Sequence, residues 1–181
     1  PGAISLRKSG GFIVAVEDGF AFWTPVDNAF DQFAEIEEDK ENSRFNDGKV
    51  DRAGRFWAGT MTVDDASSSL YRLDPDLSAR AMETGITISN GIGWSPDGTT
   101  MYHADSLTFK INAYDFNAIS GEISNKRTVF ESSPAFGIPD GLTVDVEGSI
   151  WCAFWNGRKV CRLSSDGEIL TEVPLPVSQV T

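Results

Sequence analysis

A turn followed by a strand recurs four times along this chain, and that repeat constrains the fold more than any other feature. The units are Ser9-Gly10-Gly11-Phe12-Ile13-Val14-Ala15-Val16, Asp51-Arg52-Ala53-Gly54-Arg55-Phe56-Trp57-Ala58, Ser95-Pro96-Asp97-Gly98-Thr99-Thr100-Met101-Tyr102 and Asp145-Val146-Glu147-Gly148-Ser149-Ile150-Trp151-Cys152. Their turn glycines Gly11, Gly54, Gly98 and Gly148 stand 43, 44 and 50 residues apart. Each unit continues with a third strand candidate, beginning at Gly19, Ser69, Lys110 or Lys159, and a more polar fourth one, beginning at Phe30, Ala79, Lys126 or Glu168. Short β-branched and aromatic runs between Gly, Asp, Asn and Pro turns, with no long segment at a helical period, predict an all-β chain. Four strands per unit at this spacing predict a β-propeller, in which each blade buries its faces against its neighbours. The expected blades fall at about residues 1–40, 41–85, 86–132 and 133–178 of a single, partial propeller domain.

With 181 residues the chain is long enough for one domain with a sizeable core, or for part of a larger one. Its net charge of −12 repels a phosphate backbone or an anionic bilayer, so neither nucleic acid nor a membrane surface is expected as a partner. No apolar run approaches the length of a membrane span, and no basic-then-apolar start marks a signal peptide. Two cysteines are too few for a disulfide scaffold, which favours a reducing compartment and a cytoplasmic location. The hairpin around Asn156-Gly157, read as a type I′ turn, sets Cys152 opposite Cys161. That pair is close enough for a disulfide, with two reduced thiols as the favoured state.

The polar residues that suggest chemistry share one phase of the repeat. The stretch from Ser43 to Met61 reads as loop, short strand, tight turn and strand, with Arg44, Asn46 and Asp47 ahead of its first strand. Ser89-Asn90-Gly91 and Pro139-Asp140-Gly141 hold the same position in later blades. Inner propeller strands line a central channel, so Asn46 or Asp47, Asn90 and Asp140 are expected to converge at one mouth. Side-chain oxygens from three blades suit a hard cation, which takes carboxylate and amide ligands. A single histidine, His103, excludes a multi-histidine zinc site and reads as a packed core residue. The pairs Glu37-Glu38 and Asp64-Asp65 read as solvated loop residues. Asp64 is the exception, because it follows the strand ending at Met61 and can reach back to the same mouth.

Arg44-Phe45-Asn46-Asp47-Gly48-Lys49, Gly54-Arg55-Phe56-Trp57-Ala58-Gly59-Thr60-Met61, Ile88-Ser89-Asn90-Gly91 with Trp94-Ser95-Pro96-Asp97-Gly98, and Ile138-Pro139-Asp140-Gly141 together resemble the family of regucalcin (senescence marker protein), gluconolactonase and luciferin-regenerating enzyme. The resemblance extends over nearly the whole chain. It implies a β-propeller of the six-bladed type, present here as about four blades of an incomplete ring, and hydrolysis of sugar lactones or related esters. It implies one divalent cation, calcium first, with zinc, manganese and magnesium as alternatives. Matched residue by residue, Asn90 and Asp140 are metal ligands, and Asp140 is also the general base. Arg44 and Asn46 are substrate-binding residues, and Asp64 matches a position where some members carry a substrate-contacting Glu. Family members place a further metal-ligating Glu in a blade expected before Pro1, and further strands after Thr181. Open blade edges would then favour self-association. The alternatives are a non-catalytic calcium-binding or protein-binding propeller, and a fragment without activity of its own.

Overall fold

The computed structural model describes every residue except Asp39, Glu41 and Asp64. The described residues form four antiparallel sheets, each a four-stranded meander in sequence order. They are β1 to β4 (Ala3–Leu6, Phe12–Ala15, Gly19–Thr24, Ala29–Glu35) and β5 to β8 (Arg44–Val50, Phe56–Met61, Ser68–Leu73, Ala79–Ile86), followed by β9 to β12 (Ser89–Trp94, Thr100–Asp105, Lys110–Phe116, Ile123–Glu131) and β13 to β16 (Ile138–Val144, Ile150–Trp155, Lys159–Leu163, Ile169–Pro174). The chain divides into two compact units, Pro1–Ser89 and Asn90–Thr181.

Local turn chemistry produces the repeat. Asp51 Oδ1 accepts the amides of Ala53 and Arg55, and its Oδ2 accepts the Trp57 indole N–H at 3.1 Å. Asp145 does the same with the amides of Glu147 and Ser149 and the Trp151 indole at 3.0 Å, and it adds the Arg162 guanidinium. In each turn the amide three residues on closes back on the carbonyl, from Gly54 to Asp51, Gly98 to Ser95 and Gly148 to Asp145. These glycines sit at φ of 86°, 72° and 86°, which a side chain would strain. Gly10 closes on Arg7 in the same manner. Gly10 rather than Gly11 is therefore the equivalent turn glycine, and the first spacing is 44 residues, equal to the second.

The second and third strands carry most of the strands' buried residues, whereas the fourth strands meet solvent. β6 and β10 are almost wholly buried, while every residue of β16 is exposed. In the first unit Phe20, Phe45 and Phe56 pack with Ala3, Ala15, Ala58 and Leu73, with ring centroids 4.9 Å apart for Phe20 and Phe45. The second unit is built on Tyr102, Ile111, Ile150, Phe154 and Leu163, with both cysteines inside it. Cys152 does pair with Cys161 across β14 and β15, and both thiols are free. The connecting turn is not type I′, which needs positive φ at both central residues. Asn156 and Arg158 carry the left-handed backbone, at φ of 59° and 56°, and Gly157 does not.

The largest departure concerns the polar clusters. They lie within the first strands rather than ahead of them: Arg44 opens β5, Asn90 is in β9 and Asp140 is in β13. Two of these strands are irregular at those residues. The β5–β6 register slips between Phe45 and Asp47, leaving Asn46 as the extra residue, and the β13–β14 register slips across Asp140 and Gly141. A bulge re-aims a side chain locally, and bulges concentrate beside functional sites.

Candidate functional site

In the first unit Asn46 is half-buried and donates its amide Nδ2–H to the main-chain oxygen of Ser89 at 2.9 Å. A carbonyl only accepts, so the nitrogen faces Ser89 and the Asn46 Oδ1 is directed the other way. Arg44 is exposed and its guanidinium donates to the Phe45 carbonyl at 3.1 Å. Asp47 accepts the Gly48 amide at 2.7 Å. Burial raises its carboxyl above the ordinary range, with the Gly48 amide and Lys49 opposing. Asp64 lies outside the described residues.

The chain entering β5 is held by a residue that the sequence reading assigned to solvent. The Glu37 side chain is only 4% exposed. It accepts hydrogen bonds from Lys40 at 2.7 Å, Tyr71 at 2.8 Å and the Ser43 hydroxyl. Burial raises its pKa, but these donors outweigh it and hold the carboxyl below the ordinary value. Glu38 and Asp65 are exposed as expected.

In the second unit Asn90 and Asp140 are brought onto neighbouring inner strands. A Cβ placed on Gly91 would come within 2.5 Å of the Leu142 nitrogen and 2.6 Å of the Asp140 oxygen, so β9 and β13 touch main chain to main chain there. Asp140 is 9% exposed. Asn90 Nδ2–H donates to the Ser106 hydroxyl at 2.8 Å, and that hydroxyl donates to the Pro139 carbonyl, one residue before Asp140, at 2.7 Å. Ser106 opens a short 3-10 turn, Ser106–Thr108, which follows β10. Behind β13, burial pushes the Cys152 thiol up, with the Asp140 amide pulling the other way. His103 on β10 is buried, and burial lowers its pKa to about 4 against the opposing charge of Asp105. At neutral pH it is an uncharged imidazole.

Ser106 had no signal in the sequence. A serine after a strand is commonplace in turns, and its partners lie 16 and 33 residues away. Among the described residues no three His, Cys, Asp or Glu side chains cluster as a metal group. The candidate donors here are the Asn90 amide oxygen and the Asp140 carboxylate. Those donors fit a hard divalent cation in kind, since they are oxygens without sulfur or imidazole.

Meandering four-stranded blades, with amide and carboxylate side chains carried on their first strands, define a β-propeller. The chain belongs to the SMP-30/gluconolactonase/LRE-like family, whose model matches residues 1–181. Regucalcin from Xenopus laevis is 41% identical over 99% of this chain and 63% of its own length. A solved luciferin-regenerating enzyme superposes with a TM-score of 0.90 at 35% identity, over 98% of this chain and 63% of that one. A solved regucalcin from Agrobacterium tumefaciens, described as a calcium-binding protein, superposes with a TM-score of 0.90 at 27% identity, over 97% and 60%. The chain thus spans about three fifths of the length of the relatives it matches. No helix among the described residues is long and apolar enough to cross a membrane.

Proposed function

We propose that this chain carries the inner-strand site of a metal-dependent hydrolase of sugar lactones, with Asn90 and Asp140 as cation ligands. The observation that supports it best is the pairing of Asn90 and Asp140 on touching strands, with the Asn90 nitrogen committed to Ser106, in a member of a family that includes gluconolactonases. A divalent cation, calcium first and zinc, manganese or magnesium as alternatives, supplies Lewis acidity to the lactone carbonyl when bound. Asp140 takes a proton from the attacking water, whose oxygen forms the new bond to the carbonyl carbon. The ring ester C–O bond then breaks, the leaving oxygen takes up a proton, and an aldonic acid results. Arg44 and Asn46 bind and orient the sugar oxygens, with Asp64 as a further contact. Burial of Asp140 limits competition from bulk water. Two free thiols in register support a reducing, cytoplasmic setting.

The test is proton release from a series of aldonolactones with Ca²⁺, Mn²⁺, Zn²⁺ or Mg²⁺, in wild type and Asp140→Ala. Metal-dependent turnover lost in the variant is expected, and equal rates in the two proteins refute the assignment. The calcium-binding description of the Agrobacterium relative favours a second reading, a non-catalytic calcium-binding propeller. Calorimetric Ca²⁺ binding without turnover of any lactone would select it.

A further inference from the structure

We propose that Ser106 is a positioning residue that commits the Asn90 side chain to one of its two amide orientations, so that the carbonyl oxygen is the atom offered to a cation. This rests on the reading of Asn90 as a ligand.

A count of protons fixes the orientation of the Asn90 amide. A serine hydroxyl has one proton to give and lone pairs to receive with. Ser106 sits 2.7 Å from the Pro139 carbonyl, which can only accept, so its proton goes there. The atom of Asn90 that faces Ser106, at 2.8 Å, must then be the donor, which is the NH₂ group. Turning the amide over would set its carbonyl oxygen against the Ser106 oxygen and leave two acceptors competing for one proton. Ser106 and Pro139 are both buried, so water is poorly placed to supply the missing donor. Asn90 Oδ1 is thereby directed away from Ser106.

The hydroxyl is itself held. Phe109 N–H closes on the Ser106 carbonyl at 3.0 Å, and Thr108 Oγ1 donates to the Asp105 carbonyl at 2.8 Å, so the turn fixes the Ser106 backbone. The same hydroxyl ties the Asn90 side chain to the peptide preceding Asp140. Ser106 therefore bears both on which atom Asn90 presents and on its placement relative to β13. Asn46 solves the corresponding problem without a hydroxyl, by donating directly to the Ser89 carbonyl. Ligand orientation by such outer partners commonly changes metal affinity by about 10–100-fold.

The experiment compares wild type, Ser106→Ala and Ser106→Thr by calorimetric titration with CaCl₂, with apo melting temperatures measured in parallel. NMR of the Asn90 amide in the metal-free protein supplies a readout that needs no cation. In wild type, one Asn90 NH₂ proton should exchange slowly and show an NOE to Ser106 Hβ. Ser106→Ala should abolish this protection and weaken Ca²⁺ binding about tenfold or more, whereas Ser106→Thr, which keeps the hydroxyl, should bind within about threefold of wild type. Ca²⁺ affinity unchanged in Ser106→Ala overturns the proposal, as does a Ser106→Thr variant that melts like wild type but binds as poorly as Ser106→Ala. An apo wild type whose Asn90 amide shows neither protection nor the NOE overturns it as well, whatever the titration shows. A protected amide in a protein that binds none of Ca²⁺, Zn²⁺, Mn²⁺ and Mg²⁺ locates the failure in the ligand role of Asn90, and overturns the proposed function together with this inference.

Discussion

Gly91→Ala tests how tightly the strands bearing Asn90 and Asp140 are packed. Gly91 does not have positive φ, so alanine is acceptable to its backbone, and the whole effect comes from contact. The new Cβ would lie 2.5 Å from the Leu142 nitrogen, 2.6 Å from the Asp140 oxygen and 2.6 Å from Leu142 Cγ. Leu142 Cγ can shift with its side chain, but the two main-chain atoms belong to β13 and cannot rotate away. The strands would have to part by roughly 0.5–1 Å in an interior packed like a crystal. Overpacking costs about 1–3 kcal/mol, and contact with backbone puts this case in the upper half, about 2–3 kcal/mol. At roughly 2–4 °C per kcal/mol for a chain of this length, melting should fall by about 4–12 °C. The control is Gly54→Ala, where φ is 86° and no atom lies within 4 Å of the new Cβ. Only backbone strain acts there, about 1 kcal/mol. Melting followed by circular dichroism reads both variants, and Ca²⁺ titration of Gly91→Ala should also show weaker binding. A Gly91→Ala protein that melts within about 2 °C of wild type, or above Gly54→Ala, would refute the close approach.

Two further outcomes follow from the electrostatics. For Asp145, burial raises the carboxyl, but the Trp151 indole, the Ser149 and Glu147 amides and Arg162 overcome it and hold the pKa at about 2, below the ordinary 3.8. A carboxyl depressed on folding stabilises the fold above its unfolded pKa, and that contribution is lost as pH falls through the folded one. Melting temperature should therefore drop between about pH 4 and pH 2 less steeply in Asp145→Asn than in wild type, and parallel profiles would contradict the turn's role. The second outcome concerns the thiols. Burial pushes Cys152 up and, with Glu172, raises Cys161 to about 11. Thiolate is the reactive form, so Ellman's reagent at pH 8 should detect no thiol in the native protein and two after denaturation. Rapid native labelling would contradict the packing of β14 against β15.

The blades were legible in the sequence because their turns are local. Asp51 and Asp145 organise each turn with amides two and four residues on, and Gly54 and Gly148 supply the backbone that only glycine takes easily, so residue type and spacing suffice. The inner strands were harder to read. Arg44 to Val50 is rich in turn formers, and its strand character comes from pairing with β6 around a bulge rather than from propensity. Gly91 and Gly93 would be weak strand residues by themselves, but their missing side chains let β13 approach, which no local pattern reveals. Glu37 read as solvated because it stands in an acidic run. Tyr71, 34 residues away, helps to bury it. Ser106 was invisible for the same reason, since its meaning lies in which proton goes to which partner across the second unit.

The central claim is that Asn90 and Asp140 bind one divalent cation through oxygen. A crystal structure of the protein grown with Ca²⁺ tests it most directly. The account predicts one ion at about 2.3–2.6 Å from both Asn90 Oδ1 and an Asp140 carboxylate oxygen, with the Asn90 nitrogen still on Ser106. An ion bound elsewhere, or none near these two side chains at saturating Ca²⁺, would contradict it.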